Sequence, residues 1–332
     1  MKPDVFREIL RSDPKTLLRS DVAQASPEDR TALVRGLLEL FAAHDLIDSS
    51  DLKDGYRRLD HPGLSQQLGP FLEKKPDAWL VRRVAMDIAV SCKLIELLPT
   101  LVRIALDPED FQPTRVQAAR AIARIGDDNT QKNLLPLALG VKEDLDDELK
   151  GGALRALWPG LISAQEVFQR LTPPKEERLL GSYRDFLGRH LLAERREQDL
   201  PEALQWVQEQ PKDHGSRGTF RRLSEEIIVK GLECYDDPKV CVSLVAALIA
   251  RGKRYDYMRE AELASKVETL LREPRRRKLV EAIMEHAATF EPKQACLLFS
   301  GLRLVQSQDF EWLLLKSRIG VSDIEKRGIG PN

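Results

Sequence analysis

Aromatic residues make up only 6% of this sequence, and cysteine occurs 4 times in 332 residues. Few aromatics argue against sheet, because strands favour β-branched and aromatic side chains, while the Leu and Ala that dominate the apolar positions favour helix. The cysteines (Cys92, Cys234, Cys241, Cys296) are too few for a disulfide scaffold and read as reduced thiols of a cytoplasmic protein. Neither sign of charge is in excess: 52 Lys and Arg against 53 Asp and Glu give a net charge of -1. No global field therefore draws the protein to nucleic acid or to a membrane surface. Long hydrophobic runs are missing too. The longest nearly apolar stretch, VCVSLVAALIA (240–250), is far short of the roughly 20 residues a membrane span needs. The N-terminal MKPDVFREILRSDPK carries charge throughout, unlike a secretory signal.

Chemistry-bearing patterns are equally scarce. No G-x-x-x-x-G-K-[ST] loop is present, so nothing cradles a triphosphate. His44, His61, His190, His214 and His286 are scattered, none within a turn of a cysteine, which argues against a metal site. Cys234 and Cys241 would share a helix face, but Asp236, Asp237 and Pro238 break the helix between them. EDLDDE (143–148) lacks the glycine and distal glutamate of a calcium loop and reads as a solvated acidic turn. Catalytic, cofactor-binding and metal residues are therefore assigned to none, and the expectation is a protein that is not an enzyme and needs no cofactor.

What is present is a repeating helical pattern. RVQAARAIARIGDD (115–128) places Val116, Ala118, Ala119, Ala121, Ile122, Ala123 and Ile125 over an arc wider than the roughly 100° a helix at the rim of a globule needs. Such a helix has neighbours on both sides, and alanine lets them approach closely. Pro113 sits at its start and Gly126 at its end. Related units are LGPFLEKKPDAWLVRRVAMDIAVSC (68–92) and LLPLALGVKEDLDDELKGGALRALWPG (134–160). Each unit has a proline expected near the start of its first helix (Pro70, Pro99, Pro136), an acidic turn, and a basic residue three before an alanine. Those last pairs are Arg82 and Ala85, Arg115 and Ala118, Lys150 and Ala153. Units of this length, each unable to bury its own apolar face, stack into a solenoid.

The pattern resembles the HEAT repeat. The resemblance implies an all-α fold, a HEAT-like α-solenoid of antiparallel helix pairs wound as a right-handed superhelix. It also implies a ladder in which Asp77, Asp107 and Asp144 or Asp146 face Arg82, Arg115 and Lys150. That basic row is either a structural ladder, the reading preferred here, or a binding stripe. ALRALWPGLISAQEVFQRLTPP (153–174), YRDFL (183–187) and DLPEALQWV (199–207) resemble the helical region of bacterial NACHT or STAND NTPases downstream of their nucleotide-binding core. The core itself is absent here, so the resemblance implies fold and a setting in defence-type sensing, and no catalytic residue.

The expected organisation is a helical flank at 1–63, a repeat core at 64–160, degenerate helical repeats at 161–318 and a disordered tail at 319–332. Helices are expected at 27–44, 178–195, 199–210, 217–234, 238–252, 256–272, 275–290, 293–304 and 308–316. Trp79, Trp158, Trp206 and Trp312 are expected in the core rather than at a binding surface. The function expected is that of a non-catalytic scaffold for a protein partner, whose contact residues the sequence leaves unknown. The alternative is a nucleic-acid-binding protein using SRGTFRRL (216–223) and EPRRRKL (273–279), not favoured because Glu225, Glu226, Glu281 and Glu285 flank those clusters. At the C-terminal end Phe310, Trp312, Leu313, Leu314 and Leu315 crowd together with no later helix to cover them. They dock on a partner or a second copy, or belong to one piece of a longer array, or the tail folds back and the preceding helices bury them.

Overall fold

A computed structural model describes residues 8–10, 12–19, 24–43, 50–73, 78–176, 180–210, 218–253, 261–285 and 304–315. Every regular element among the described residues is helical, and none of these helices is long and apolar enough to cross a membrane. The chain divides into two compact units, Met1–Glu194 and Arg195–Asn332.

In the first unit α1 (Pro14–Arg19) and α2 (Pro27–Ala42) precede a 3-10 segment, Ser50–Leu59. Then come α3 (Leu64–Leu72), α4 (Trp79–Ser91), α5 (Leu98–Leu106), α6 (Gln112–Ile125), α7 (Asp128–Lys132), α8 (Leu135–Ala138), α9 (Glu148–Leu157) and α10 (Ala164–Arg170). The last is α11 (Ser182–Asp185), which runs through a π-turn at Phe186–His190 into Leu191–Ala193. Helices pair as α3 with α4, α5 with α6 and α8 with α9, and the second members pack in series, α4 on α6 and α6 on α9. The flank joins the same unit, with α2 against α4.

The alanines of α6 explain that series. Val116, Ala118, Ala119, Ala121 and Ile122 are buried, Ala123 and Ile125 half-buried, so small side chains line a helix covered by α5 and by both stacked neighbours. The closest approach is at Gly151 of α9, where a Cβ would lie 2.2 Å from the backbone nitrogen of Tyr183. Only a glycine lets α9 meet the start of α11 backbone to backbone.

Pro99 and Pro136 stand in the first turns of α5 and α8, but Pro70 does not open its helix. It lies seven residues into α3, which ends at Leu72, so here proline accompanies the stop rather than the start. Trp158 is buried, its indole N–H donating to the Leu191 carbonyl at 3.1 Å.

The second unit contains α12 (Leu200–Glu209), α13 (Gly218–Cys234), α14 (Pro238–Lys253), α15 (Ala261–Leu270) and α16 (Arg275–Glu285), followed by a 3-10 turn at Ser307–Asp309 and helical residues 310–315. α12 packs on α13 and α14, and Trp206 stacks edge-on against Phe220 at 5.2 Å. The helix expected at 293–304 falls almost entirely outside the described residues, and the tail at 319–332 wholly so.

Ala119, fully buried between stacked helices, gives a direct test of this packing. Ala119→Leu should cost about 1–3 kcal/mol by forcing neighbours apart; urea unfolding of the two proteins measures it, and an unchanged midpoint would mean that the helices do not meet there.

Candidate partner-binding edge

The basic row is interior. Arg82, Arg115 and Lys150 are 2%, 2% and 1% exposed. Arg82 Nε donates to the Leu72 carbonyl at 3.0 Å and Arg115 Nε to the Ala105 carbonyl at 3.3 Å. Each acceptor lies ten residues back, at the end of the first helix of the same pair. Lys150 lies against the position ten residues before it, Gly140, whose φ of 84° is open to glycine; a Cβ there would stand 3.7 Å from Lys150 Cδ. Its Nζ passes on to Thr172 Oγ1 at 2.7 Å and lies 4.8 Å from the centre of the Tyr183 ring.

The carboxylate partners differ from the expected ladder. Arg82 forks onto Asp110 of the next turn, Nη1 to Oδ1 at 2.7 Å and Nη2 to Oδ2 at 2.5 Å. With Nε anchored at the helix end, the fork is aimed forward along the stack. Asp77 lies outside the described residues. Asp107 Oδ1 accepts from the Glu109 amide, and it makes no ion pair with Arg115. Asp144 accepts the amides of Leu149 and Lys150 at 3.0 and 2.8 Å, not the Lys150 ammonium, and so caps α9.

EDLDDE is therefore not a solvated turn. Asp144 and Asp147 are 0% and 2% exposed, whereas Leu145 between them is 73% exposed. Asp147 accepts the Lys175 amide at 2.8 Å. Burial raises the Asp144 carboxyl above its usual range, against the lowering by its backbone donors; the neighbouring Asp146 and Asp147 add to the rise. Acids point in and leucine points out.

Leu145 belongs to a row. Trp79, Phe111, Leu145 and Leu180 are 37%, 42%, 73% and 88% exposed, and they recur 32, 34 and 35 residues apart, at the repeat period. Bonds between their chain neighbours run from turn to turn. The Trp79 and Phe111 rings lie 6.4 Å apart, and Arg82 reaches Asp110 beside Phe111. Gln112 donates to Asp144 and Asp146 on either side of Leu145, at 3.1 and 2.6 Å. Lys175 Nζ donates to the Asp144 carbonyl at 2.5 Å, and the Ser182 amide, two residues past Leu180, donates to Glu148 at 2.5 Å. Trp79 thus departs from the expected core placement. Sequence reasoning missed this row: the spacing of 32 to 35 residues is present in the sequence, but nothing in it shows that Leu145 faces water while Asp144 and Asp147 are buried.

The other candidates form less. In the basic clusters, Arg222 pairs with Glu226 at 2.9 Å, Lys278 with Asp236 at 3.1 Å, and Arg277 with Asp309 at 3.0 Å. Arg276 is buried and forks onto Asp309, whose carboxyl it holds well below the usual range, so that cluster start is not solvated. His61 bonds the Leu59 carbonyl, and His190 lies between Asp185 and Glu194 at 3.0 and 3.1 Å. His44, His214, His286 and Cys296 lie outside the described residues. Burial pushes the Cys92 thiol up to about 12 and raises that of Cys241, the reverse of an activated nucleophile. No group of His, Cys, Asp and Glu among the described residues is arranged to hold a metal ion. At the end of the described chain Phe310, Leu314 and Leu315 are exposed, and Arg277 lies over the Trp312 ring at 5.3 Å.

Comparison with known proteins gives no match to a family model, to a curated protein or to a solved structure.

Two outcomes follow from this geometry. Burial pushes the Lys150 ammonium from 10.5 down to about 8. Below about 8 the group is charged in both folded and unfolded chains and its burial cost is present in full. Between about 8 and 10.5 only the unfolded chain keeps the proton, so stability rises with pH through that window. Lys150→Met removes this slope: its stability relative to wild type should fall by about 1–3 kcal/mol between pH 7.5 and pH 10. Urea midpoints across that range measure it, and parallel pH profiles would contradict it.

Phe111 occupies the N-cap of α6 and makes no side-chain cap bond. Phe111→Asp supplies a cap of about 1 kcal/mol against the loss of a half-exposed ring contact, so stability should change by less than about 1 kcal/mol. A thermal melt showing a loss above about 2 kcal/mol would make Phe111 a core residue.

Proposed function

We propose that this chain is a non-catalytic scaffold, a HEAT-like α-solenoid wound as a right-handed superhelix of antiparallel helix pairs. It offers the edge carrying Trp79, Phe111, Leu145 and Leu180 to a protein partner. The observation that carries this reading is the inversion at 143–148, where two aspartates are buried and the leucine between them faces water. Isolated exposed leucines are ordinary, but a row of large apolar side chains, one per turn along a stack, is the surface of a docking site. The likeness of 153–207 to the helical region of NACHT or STAND NTPases rests on sequence alone; it sets such docking within sensing or regulation in a defence-type system. The nucleic-acid reading has less support, since the cations of 273–279 bond to Asp236, Glu273 and Asp309 within the protein.

A photocrosslinking side chain placed at Leu145 or Leu180 in the native host should give a discrete, nuclease-insensitive protein adduct. The same group at Lys132, exposed on α7, should give none. No adduct at the edge, or adducts only to nucleic acid, would overturn the proposal.

A further inference from the structure

The apolar row does not run through neutral ground. Among the described residues, no cation comes within ion-pairing distance of the carboxylates of Asp107 or Glu109, on the turn that carries Phe111, or of Glu143 or Asp146, on the turn that carries Leu145. Asp144, by contrast, takes the Lys175 ammonium on its carbonyl and acts on the buried Lys150 ammonium. Asp110, Asp147 and Glu148 do have cationic partners, in Arg82, Lys175 and Arg120. The Asp144 and Asp146 carboxylates receive hydrogen bonds only from the amide of Gln112 and backbone N–H groups. Glu109 and Glu143 are exposed, each two residues before an apolar side chain of the row, Phe111 and Leu145. On the opposing side, Arg83 lies over the Trp79 ring at 5.6 Å and Arg103 pairs with Glu73. Lys142 is the one exposed cation on the third turn, beside four aspartate and glutamate residues between positions 143 and 147. Burial is the main cause of the rise of the Asp144 carboxyl, and the neighbouring Asp146 and Asp147 add a smaller part.

This edge therefore has two properties at once. Phe111 and Leu145 give apolar contact, and the exposed carboxylates beside them, Glu109 and Glu143, are without an ion-pair partner among the described residues. A neutral apolar segment would cover those carboxylates and leave them without water or a partner, at a cost. An acidic segment would be repelled. A segment in which Lys or Arg stands among apolar side chains satisfies both, the apolar residues on the row and the cations on Glu109 and Glu143.

Resting on the scaffold reading above, we infer that the edge docks a basic amphipathic segment of a partner protein, with Phe111 and Leu145 as its apolar contacts and Glu109 and Glu143 as its charge selectors. The carboxylates set the sign of the partner's charge, and the apolar row supplies the buried contact.

The test is selection from a library of random displayed peptides on the full chain. Binders to the variant carrying Phe111→Ser, Leu145→Ser and Leu180→Ser are subtracted. If that variant fails to fold by circular dichroism, Leu145→Ser alone takes its place, since that side chain is mostly in solvent. The peptides retained should combine apolar residues with Lys or Arg. Their synthetic forms should bind about tenfold more weakly to the Glu109→Lys, Glu143→Lys protein, and should weaken as salt rises from about 50 to about 300 mM. Edge-dependent peptides that are neutral or acidic, or basic peptides indifferent to both lysine substitutions, would overturn this inference and leave the scaffold reading standing. A selection yielding no peptide that depends on the edge would overturn both.

Discussion

The stack depends on how a cationic side chain is held at the seam between one helix pair and the next. The last carbonyls of a helix have no partner within it. In the first unit Arg82 and Arg115 each send Nε to such a carbonyl ten residues back, binding the two helices of one pair. At Arg82 the remaining nitrogens then fork onto Asp110 of the following pair. Removing one partner of a buried ion pair is far more damaging than never having had the pair, so Arg82 and Asp110 constrain each other. Lys150 occupies the same place with one donor group instead of a fork, and its ammonium goes to Thr172 rather than to a carboxylate. Burial lowers its proton affinity, and Asp147 and Asp144 nearby offset that only in part. The second unit holds a similar arrangement, in which Arg276 donates to the Leu304 carbonyl and forks onto Asp309.

Much of the helical framework was legible in the sequence. The alanines of 115–125, the turn at 236–238 and the proline starts of α5 and α8 are all local signals, and local chemistry decides them. The position of the basic row relative to its acids was not legible, because an arginine side chain spans the distance between adjacent turns. Sequence spacing alone does not say whether the fork points to its own turn or to the next. Pro70 misled for a related reason: proline is compatible with the first turn of a helix and also accompanies a helix that is about to stop.

The candidate edge was the least legible part, and the cause is general. Composition predicts that aspartate faces water and leucine does not. At 143–148 the aspartates instead take over the backbone amides that begin α9 and the amide of Lys175, so their burial is compensated by hydrogen bonds. Asp144 and Asp147 turn inward to make these bonds, and Leu145 between them faces water. The exposure of Leu145 is thus a consequence of how α9 is capped, and no hydropathy pattern would reveal it.

Helix starts in the first unit are of two kinds, those capped by their own side chain and those that are not. α2, α7 and α10 open on Ser26, Asp127 and Ser163, each accepting an amide of its own first turn, whereas α3, α5 and α8 open on Gly63, Leu97 and Leu134 without a side-chain cap. At the edge, α4, α6, α9 and α11 open on Ala78, Phe111, Asp147 and Gly181, and none of these caps its own helix. Help comes from elsewhere: Asp110 accepts the Phe111 amide, Asp144 caps α9, and Glu148 of α9 accepts the Ser182 amide that starts α11. The effect is to free the cap position and its neighbours for side chains that make no cap. A serine or aspartate at position 111 would serve the fold at least as well as phenylalanine does. Phe111 thus stands half in water at a position where its ring gives the helix no cap, which ties that side chain to something other than the start of α6.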